Sequence, residues 1–266
     1  MKKKVKRLFK RNSHNVLFKA LAGFGRALNR FYENRNHDIY SNGELAVLEK
    51  LSNLNSLVIL DGGANTGHYS LLANKLNPKT QIYSFEPVAS TYKKLKENIH
   101  LYYNISPIQK GLYKENCSKE INIFPSDTHA SLYDIQGLSY KSIRKEEITL
   151  VKGDDFMREA KIPQVDLLKL DMEGAEYNAI MGFEDHIKNG KIKVIQFEYG
   201  YINITTKHLL KDFYTYFENK GYIIGKVFPK NVEFREYQFK YEDFLGPNFI
   251  AVKKSETELI NLLKRK

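Results

Sequence analysis

Apolar positions change rhythm twice along the chain. Up to residue 52 they recur at helical spacing: Val5, Leu8 and Phe9, then Val16, Leu17, Leu21 and Phe24. A polar break at 33–38 and a turn at 41–43 follow, and then Leu45, Leu48 and Leu51 mark a further short helix. From residue 55 short apolar runs alternate with amphipathic stretches. The runs 57–60, 81–85 and 105–112 predict strands, separated by helices over 69–76 and 90–101. Between 118 and 151 this rhythm lapses into two strand-like alternations, 120–124 and 147–151, around a polar loop at 126–145. An insertion of that length is more often functional than idle. Strands at 165–170, 193–197, 222–227 and 248–252 and helices at 175–183 and 207–219 then resume the alternation, the last two strands pairing antiparallel. Such alternation implies an α/β fold with a mostly parallel sheet covered on both faces. No repeat or Pro/Gly-rich linker divides the chain. It reads as a basic helical extension (1–52), one domain (53–254) and a short tail (255–266).

Composition narrows this picture only slightly. A chain of 266 residues, 42% hydrophobic and 27% charged, suits one globular domain with an extension. The single cysteine, Cys117, excludes an internal disulfide and a cysteine-cluster zinc site, and points to a reducing compartment. No segment approaches the ~20 apolar residues needed to cross a bilayer, nor does the start carry the apolar core of a secretory signal. A cytoplasmic protein is expected. Charge adds more. Residues 1–11 hold seven basic side chains and no acid, which leaves +4 of the net +11 for the other 255 residues. This run reads as a solvated, frayed terminus, as a basic amphipathic helix resting on the inner face of an anionic membrane, or as a grip on nucleic acid. With so mildly charged a body, nucleic acid is not the expected partner.

The candidate chemistry begins at a strand that runs into a Gly-rich turn and a helix, Leu57-Val-Ile-Leu-Asp61-Gly62-Gly63-Ala64-Asn65-Thr66-Gly67. Backbone N–H groups of such a turn can approach a ligand at a helix N-terminus. Glu86 ends the next strand, 19 residues past Gly67, where a carboxylate can accept hydrogen bonds from both hydroxyls of a ribose. Together they predict an adenosine-type ligand on a doubly wound sheet. The turn reads Gly63-x-Asn65-x-Gly67, with Asp61 just ahead. That acid repels a diphosphate and suits the cationic end of S-adenosylmethionine. The alternative is a glycine turn that serves backbone geometry alone.

Leu60-Asp-Gly-Gly-Ala-Asn-Thr-Gly-His-Tyr-Ser70, Tyr83-Ser-Phe-Glu86-Pro87 and Leu168-Lys-Leu-Asp171-Met-Glu173-Gly-Ala-Glu176 resemble the FkbM-type class I methyltransferases, over about residues 38–253. The resemblance implies a Rossmann-like, seven-stranded sheet and S-adenosylmethionine as methyl donor. It also implies O-methylation of a hydroxyl on a sugar or small metabolite, with a bacterial surface glycan or its precursor as the favoured acceptor. The donor site it implies comprises Asp61, Gly63, Asn65, Thr66, Gly67, Glu86 and Pro87. Asp154 and Asp155 lie where the family has an acidic turn, and can reach the adenine amino group, line the acceptor mouth or cap a helix. Gly62 and Gly153 stand where the family often carries larger residues.

Methyl transfer to a hydroxyl is an in-line displacement that needs alignment and a group to take or stabilise the proton. Alternation in the strand before Asp171 puts Leu167, Lys169 and Asp171 on one face, with Asp171 at the carboxyl end, where ligands bind in open α/β sheets. Asp171 is the expected base or substrate anchor, and Lys169 can lower its pKa or hold it in place by ion pairing. Glu173 and Glu198 complete the catalytic set. Asp171, Glu173 and Glu198 can also be read as ligands of a divalent cation, but no His joins them at ligand spacing and a metal is not expected. Glu176 reads as a substrate contact or as an acid at a helix N-terminus. His68, Asp155 and Tyr199 are further acceptor candidates, with His129, Tyr133, Tyr140 and Tyr201 in loops. The resemblance also implies that Asp38, Asn42 and Glu44 belong to a polar segment ahead of the core that can act as a lid over the donor. Two rival readings stay open: an RNA ribose 2′-O-methyltransferase, and a binding subunit that has lost turnover.

Overall fold

The computed structural model describes residues 2–54, 57–125, 130–134 and 142–264. The chain opens with α1 (Lys2–Arg11) and α2 (Val16–Tyr32), neither of which buries a residue. α3 (Glu44–Ser52) is the first helix with a buried face, through Val47, Leu48 and Leu51. The alternating core begins with β1 (Val58–Gly62), α4 (His68–Leu76), β2 (Gln81–Phe85), α5 (Ala89–Ile99) and β3 (Ile105–Ile108). The inserted region holds β4 (Gly111–Tyr113), β5 (Cys117–Ile123), β6 (Ala130–Ser131) and β7 (Arg144–Lys152). After α6 (Gly153–Glu159) come β8 (Val165–Leu170), α7 (Glu176–Gly182), α8 (Glu184–Lys188) and β9 (Ile192–Glu198). The chain closes with α9 (Ile202–Thr206), α10 (Leu210–Asn219), β10 (Tyr222–Phe228), β11 (Asn231–Phe234), β12 (Asn248–Lys253) and α11 (Thr257–Leu263).

The main sheet has the order β11-β10-β12-β9-β8-β1-β2-β3. From β9 to β3 it is parallel, and β12 and β10 enter antiparallel as the sequence predicts. Every residue of β8 is buried, the mark of a central parallel strand covered on both faces. One face carries an aromatic core in which Phe197, Phe213 and Phe217 stack. The other packs α3, α4, α5 and α11 through residues such as Leu48, Leu95 and Leu259. The fold is therefore a Rossmann-like, doubly wound α/β sheet.

Three boundaries differ from the sequence reading. The sheet has eight strands rather than seven, because the chain turns at Pro229-Lys230 and pairs β11 with β10 over Asn231–Phe234, burying Val232 completely. The single strand expected over 105–112 is two. β3 carries Pro107, which lacks an N–H to extend the ladder, at the sheet's edge, and β4 leaves to pair with β7 in a second sheet of order β4-β7-β5-β6. Finally, α3 and α11 both belong to the core. The apolar pair Leu259 and Leu263 buries the tail against the sheet, and the extension proper ends with α2.

Candidate active site

Strand order reverses at β1, with β2 on one side and β8 on the other, so the carboxyl ends of these strands form a crevice. The turn after β1 closes its floor. Gly63 has φ +75°, and a Cβ there would collide with the carbonyl of Asp171, so only glycine lets the β1 and β8 loops meet. The turn's N–H groups are not free for a ligand. Those of Gly63 and Ala64 donate to Phe85 O, Asn65 to Glu86 Oε2, Thr66 to the Asn65 side chain and Gly67 to Ala64 O. This corrects the expectation of a backbone cradle. The turn offers space and a side chain instead.

Three cavities adjoin along this crevice. The first runs from Gly63 and Asn65 past Glu86 and Pro87 to an apolar wall of Leu112, Ile121, Ile148 and Leu150, supplied by the second sheet. Glu86 is 7% exposed, and its oxygens accept from the N–H groups of Asn65 (3.1 Å) and Val88 (3.0 Å). Burial pushes its carboxyl up to about 7, although the two N–H groups pull the other way. Each oxygen keeps a further lone pair, enough for a vicinal diol.

The second cavity shares Gly63, Asn65, Asp171 and Glu173 with the first and is acidic, adding Glu44 and Glu198. Beneath it Lys169, 5% exposed, sits 3.4 Å from both Asp61 Oδ1 and Asp171 Oδ2 and 5.1 Å from the centre of the Tyr69 ring. Burial opposes its charge, but Asp171, Asp61 and Glu44 together hold the ammonium above its ordinary range. Glu44 accepts from Asn42 (2.7 Å), Asn248 (3.0 Å) and Gln196 (3.0 Å), and burial raises its carboxyl despite Lys169. Glu173 stands on a left-handed backbone (φ +50°), pushed up to about 8 by burial, with Asp171 and Glu176 adding to it. Burial and the surrounding carboxylates push Glu198 well above the usual range, and His37 Nδ1 lies 3.5 Å from it.

The third cavity shares His37, Glu173, Glu198 and Pro247 with the second and adds Arg35, Tyr199, Tyr201 and Phe244. Glu173 alone among the candidate residues lines all three.

Of the sequence candidates, the structure brings Gly63, Asn65, Glu86, Pro87, Asp171, Glu173 and Glu198 to this crevice, with Lys169 and Asp61 buried under it. Asp61 accepts from Ser70 Oγ at 2.7 Å and lines none of the three cavities. Asp154 is elsewhere: its carboxylate is fully buried and accepts from the N–H groups of Asp185 and His186 and faces His186 Nδ1 at 2.7 Å, fastening the start of α8. The physical reason lies one residue earlier. A Cβ on Gly153 would strike the Phe183 ring, so the chain there dives toward α7 and α8 rather than toward the cleft. Asp155 is engaged by Asn116 and Arg158, also outside the cavities.

Glu176 is not open to a substrate. It is 1% exposed and accepts from the N–H groups of Met172 and Gly174, bracing the loop that carries Asp171 and Glu173. The Tyr199 hydroxyl donates to Glu242 at 2.5 Å, so only its ring, stacked on Phe244, faces the third cavity. His68 is exposed, 3.0 Å from the Tyr40 hydroxyl, and lines none of the three; nor do Thr66 and Gly67, the latter packed beside Leu95. Tyr133 bonds Asn178 through its hydroxyl. His129 and Tyr140 lie outside the described residues. Gln196, Asn248, Arg35 and His37 are the additions that sequence reasoning missed, and their only local signal is a polar side chain beside an apolar strand or after a helix. Among the described residues no three His, Cys, Asp or Glu side chains are arranged to hold a metal ion.

The doubly wound sheet thus sets a carboxylate at the end of β2 beside an acidic chamber beyond the β1 turn. Residues 61–224 match the Methyltransferase FkbM domain, and the chain belongs to that family. It is 27% identical over 146 residues to Methyltransferase 1 of Beauveria bassiana, covering 48% of this chain and 58% of that protein. It is 23% identical over 146 residues to hexuronic acid methyltransferase AglP of Haloferax volcanii (54% and 56%). It is 25% identical over 155 residues to 2-O-methyltransferase NoeI of Sinorhizobium fredii (54% and 63%). The matches thus span little more than half the length of these relatives.

Proposed function

We propose that the protein is an S-adenosylmethionine-dependent O-methyltransferase acting on a sugar hydroxyl, in the reducing compartment that a single-cysteine chain suits. The observation that carries this reading is the junction at Asn65, Asp171 and Glu173, where the Glu86 cavity opens into the acidic one. Glu86 would hold the ribose, and the wall from Leu112 to Leu150 would cover the base. The excess of carboxylates suits a sulfonium, and would disfavour the diphosphate of a dinucleotide. When bound, the donor supplies an electrophilic methyl group. The acceptor enters by the third cavity, where the rings of the exposed Tyr201 and the half-buried Phe244 suit a sugar ring. The donor would present its methyl group to the acceptor hydroxyl at this junction, and Asp171, oriented by Lys169 at 3.4 Å, would take the hydroxyl proton. Glu173 and Glu198 hydrogen-bond neighbouring hydroxyls. A hexuronic acid methyltransferase and a 2-O-methyltransferase among the relatives support a sugar acceptor, and a surface glycan or its precursor is the class we favour.

Two variants test the reading together. Glu86→Ala removes two charge-assisted hydrogen bonds and should weaken donor binding about 100-fold by calorimetry. Asp171→Asn should bind donor normally and transfer a labelled methyl at least about 100-fold more slowly. Tighter binding of a pyridine dinucleotide than of the donor would overturn it.

A further inference from the structure

The arm formed by α1 and α2 is unlike the rest of the molecule. Residues 1–32 contain ten Lys or Arg and no Asp or Glu, whereas the remaining 234 hold 32 basic against 31 acidic residues. Nearly all of the net charge therefore sits on an arm that buries nothing. Its side chains are sorted by chemistry. At 100° per residue Leu17, Leu21, Phe24, Leu28 and Phe31 form one stripe of α2, all exposed, and Lys19, Arg26 and Arg30 take the opposite face. Phe9 meets Phe18 edge-on at 5.4 Å, joining the apolar side of α1 to the start of α2.

The arm is not a loose end. Immediately after it Glu33 pairs with Lys226 (3.1 Å) and Arg235 (3.3 Å), and the Asn34 side chain donates to the carbonyls of Asn42 and Val227, fastening the exit of α2 to β10. Arg35 already lines the third cavity, and three residues from Tyr32 span at most about 11 Å.

We infer that α1 and α2 dock the protein on an anionic lipid bilayer, apolar stripe inserted and basic residues toward the headgroups, with the third cavity near that surface. Separated apolar and basic faces are what an interface helix needs. Nucleic acid would use aromatics interleaved with the basic residues, and pairing of two arms would set ten positive charges against ten.

The test is flotation of the full chain with vesicles of phosphatidylcholine, with and without phosphatidylglycerol. Binding should require the anionic lipid and weaken with salt. Phe24→Asp, and separately Lys4→Glu with Lys6→Glu, should each reduce partitioning at least about tenfold, with the unfolding midpoint and donor affinity unchanged. Four results would overturn the inference. These are no binding, equal binding to neutral vesicles, tighter retention on an RNA oligonucleotide, and a concentration-dependent dimer that Phe24→Asp dissolves. None depends on catalysis, so it can fail while the methyltransferase reading stands, and the reverse.

Discussion

Among the described residues, buried carboxylates meet buried cations around Lys169 and around Glu33, in opposite proportion. Around Lys169 stand Asp61, Asp171 and Glu44, with Glu173 and Glu198 just beyond, so acids outnumber the cation severalfold. At the root of the arm one carboxylate, Glu33, faces both Lys226 and Arg235. The consequences differ in sign. Burial raises Glu173 and Glu198, and their acidic neighbours add to it. Burial would raise Glu33 too, but Lys226 and Arg235 outweigh it and hold that carboxyl below its usual range. A joint that only has to stay closed is compensated within the protein. On the function proposed above, the acidic site keeps its imbalance until a cationic ligand arrives, and perturbed carboxyls mark it.

The largest expected effect comes from removing the cation of the acidic cluster. Lys169→Met should destabilise the fold by about 4 kcal/mol in urea unfolding, because Asp61 is left buried beside other acids. A loss under 1 kcal/mol would mean that the cluster is already balanced by protons. Glu33→Ala should cost less, about 3 kcal/mol, since Lys226 and Arg235 repel once the acid is gone but Arg235 keeps Glu233 at 3.8 Å. Unchanged stability there would leave the clamp without energetic weight.

The most graded effect is in pH. Glu173 is raised from 4.5 to about 8, so its native form holds the proton more tightly than the unfolded chain does. The stability it contributes is complete below pH 4.5 and is lost as pH rises toward about 8. Glu173→Gln should therefore gain on the parent by up to about 1 kcal/mol per pH unit across that window. Glu33 runs the other way. Its carboxyl is lowered, so its contribution is present above pH 4.5 and is lost as pH falls. Parallel pH–stability profiles for Glu173→Gln and Glu33→Ala would dissolve the contrast between the two regions.

Local pattern carried much of this. Short apolar runs located the strands of the main sheet other than β11, and the Gly63 turn, Glu86 and Asp171 stood out because each ends or follows an apolar strand. The misses have one cause. Asp154 sits at a strand end like the others, yet the packing of Gly153 on Phe183 turns it toward α8. Glu176 looked available for contact, and its bonds to Met172 and Gly174 close it off.

By itself the sequence determined the succession of elements, the Gly-rich turn after β1 and the carboxylates at strand ends, since these depend on neighbours a few residues away. Only the tertiary structure decided that Glu44 meets Gln196 and Asn248 and that Glu33 meets Lys226 and Arg235. Those partners lie some 150 to 200 residues apart in the chain. Their meeting follows from the order in which strands pair, and no local period encodes that order.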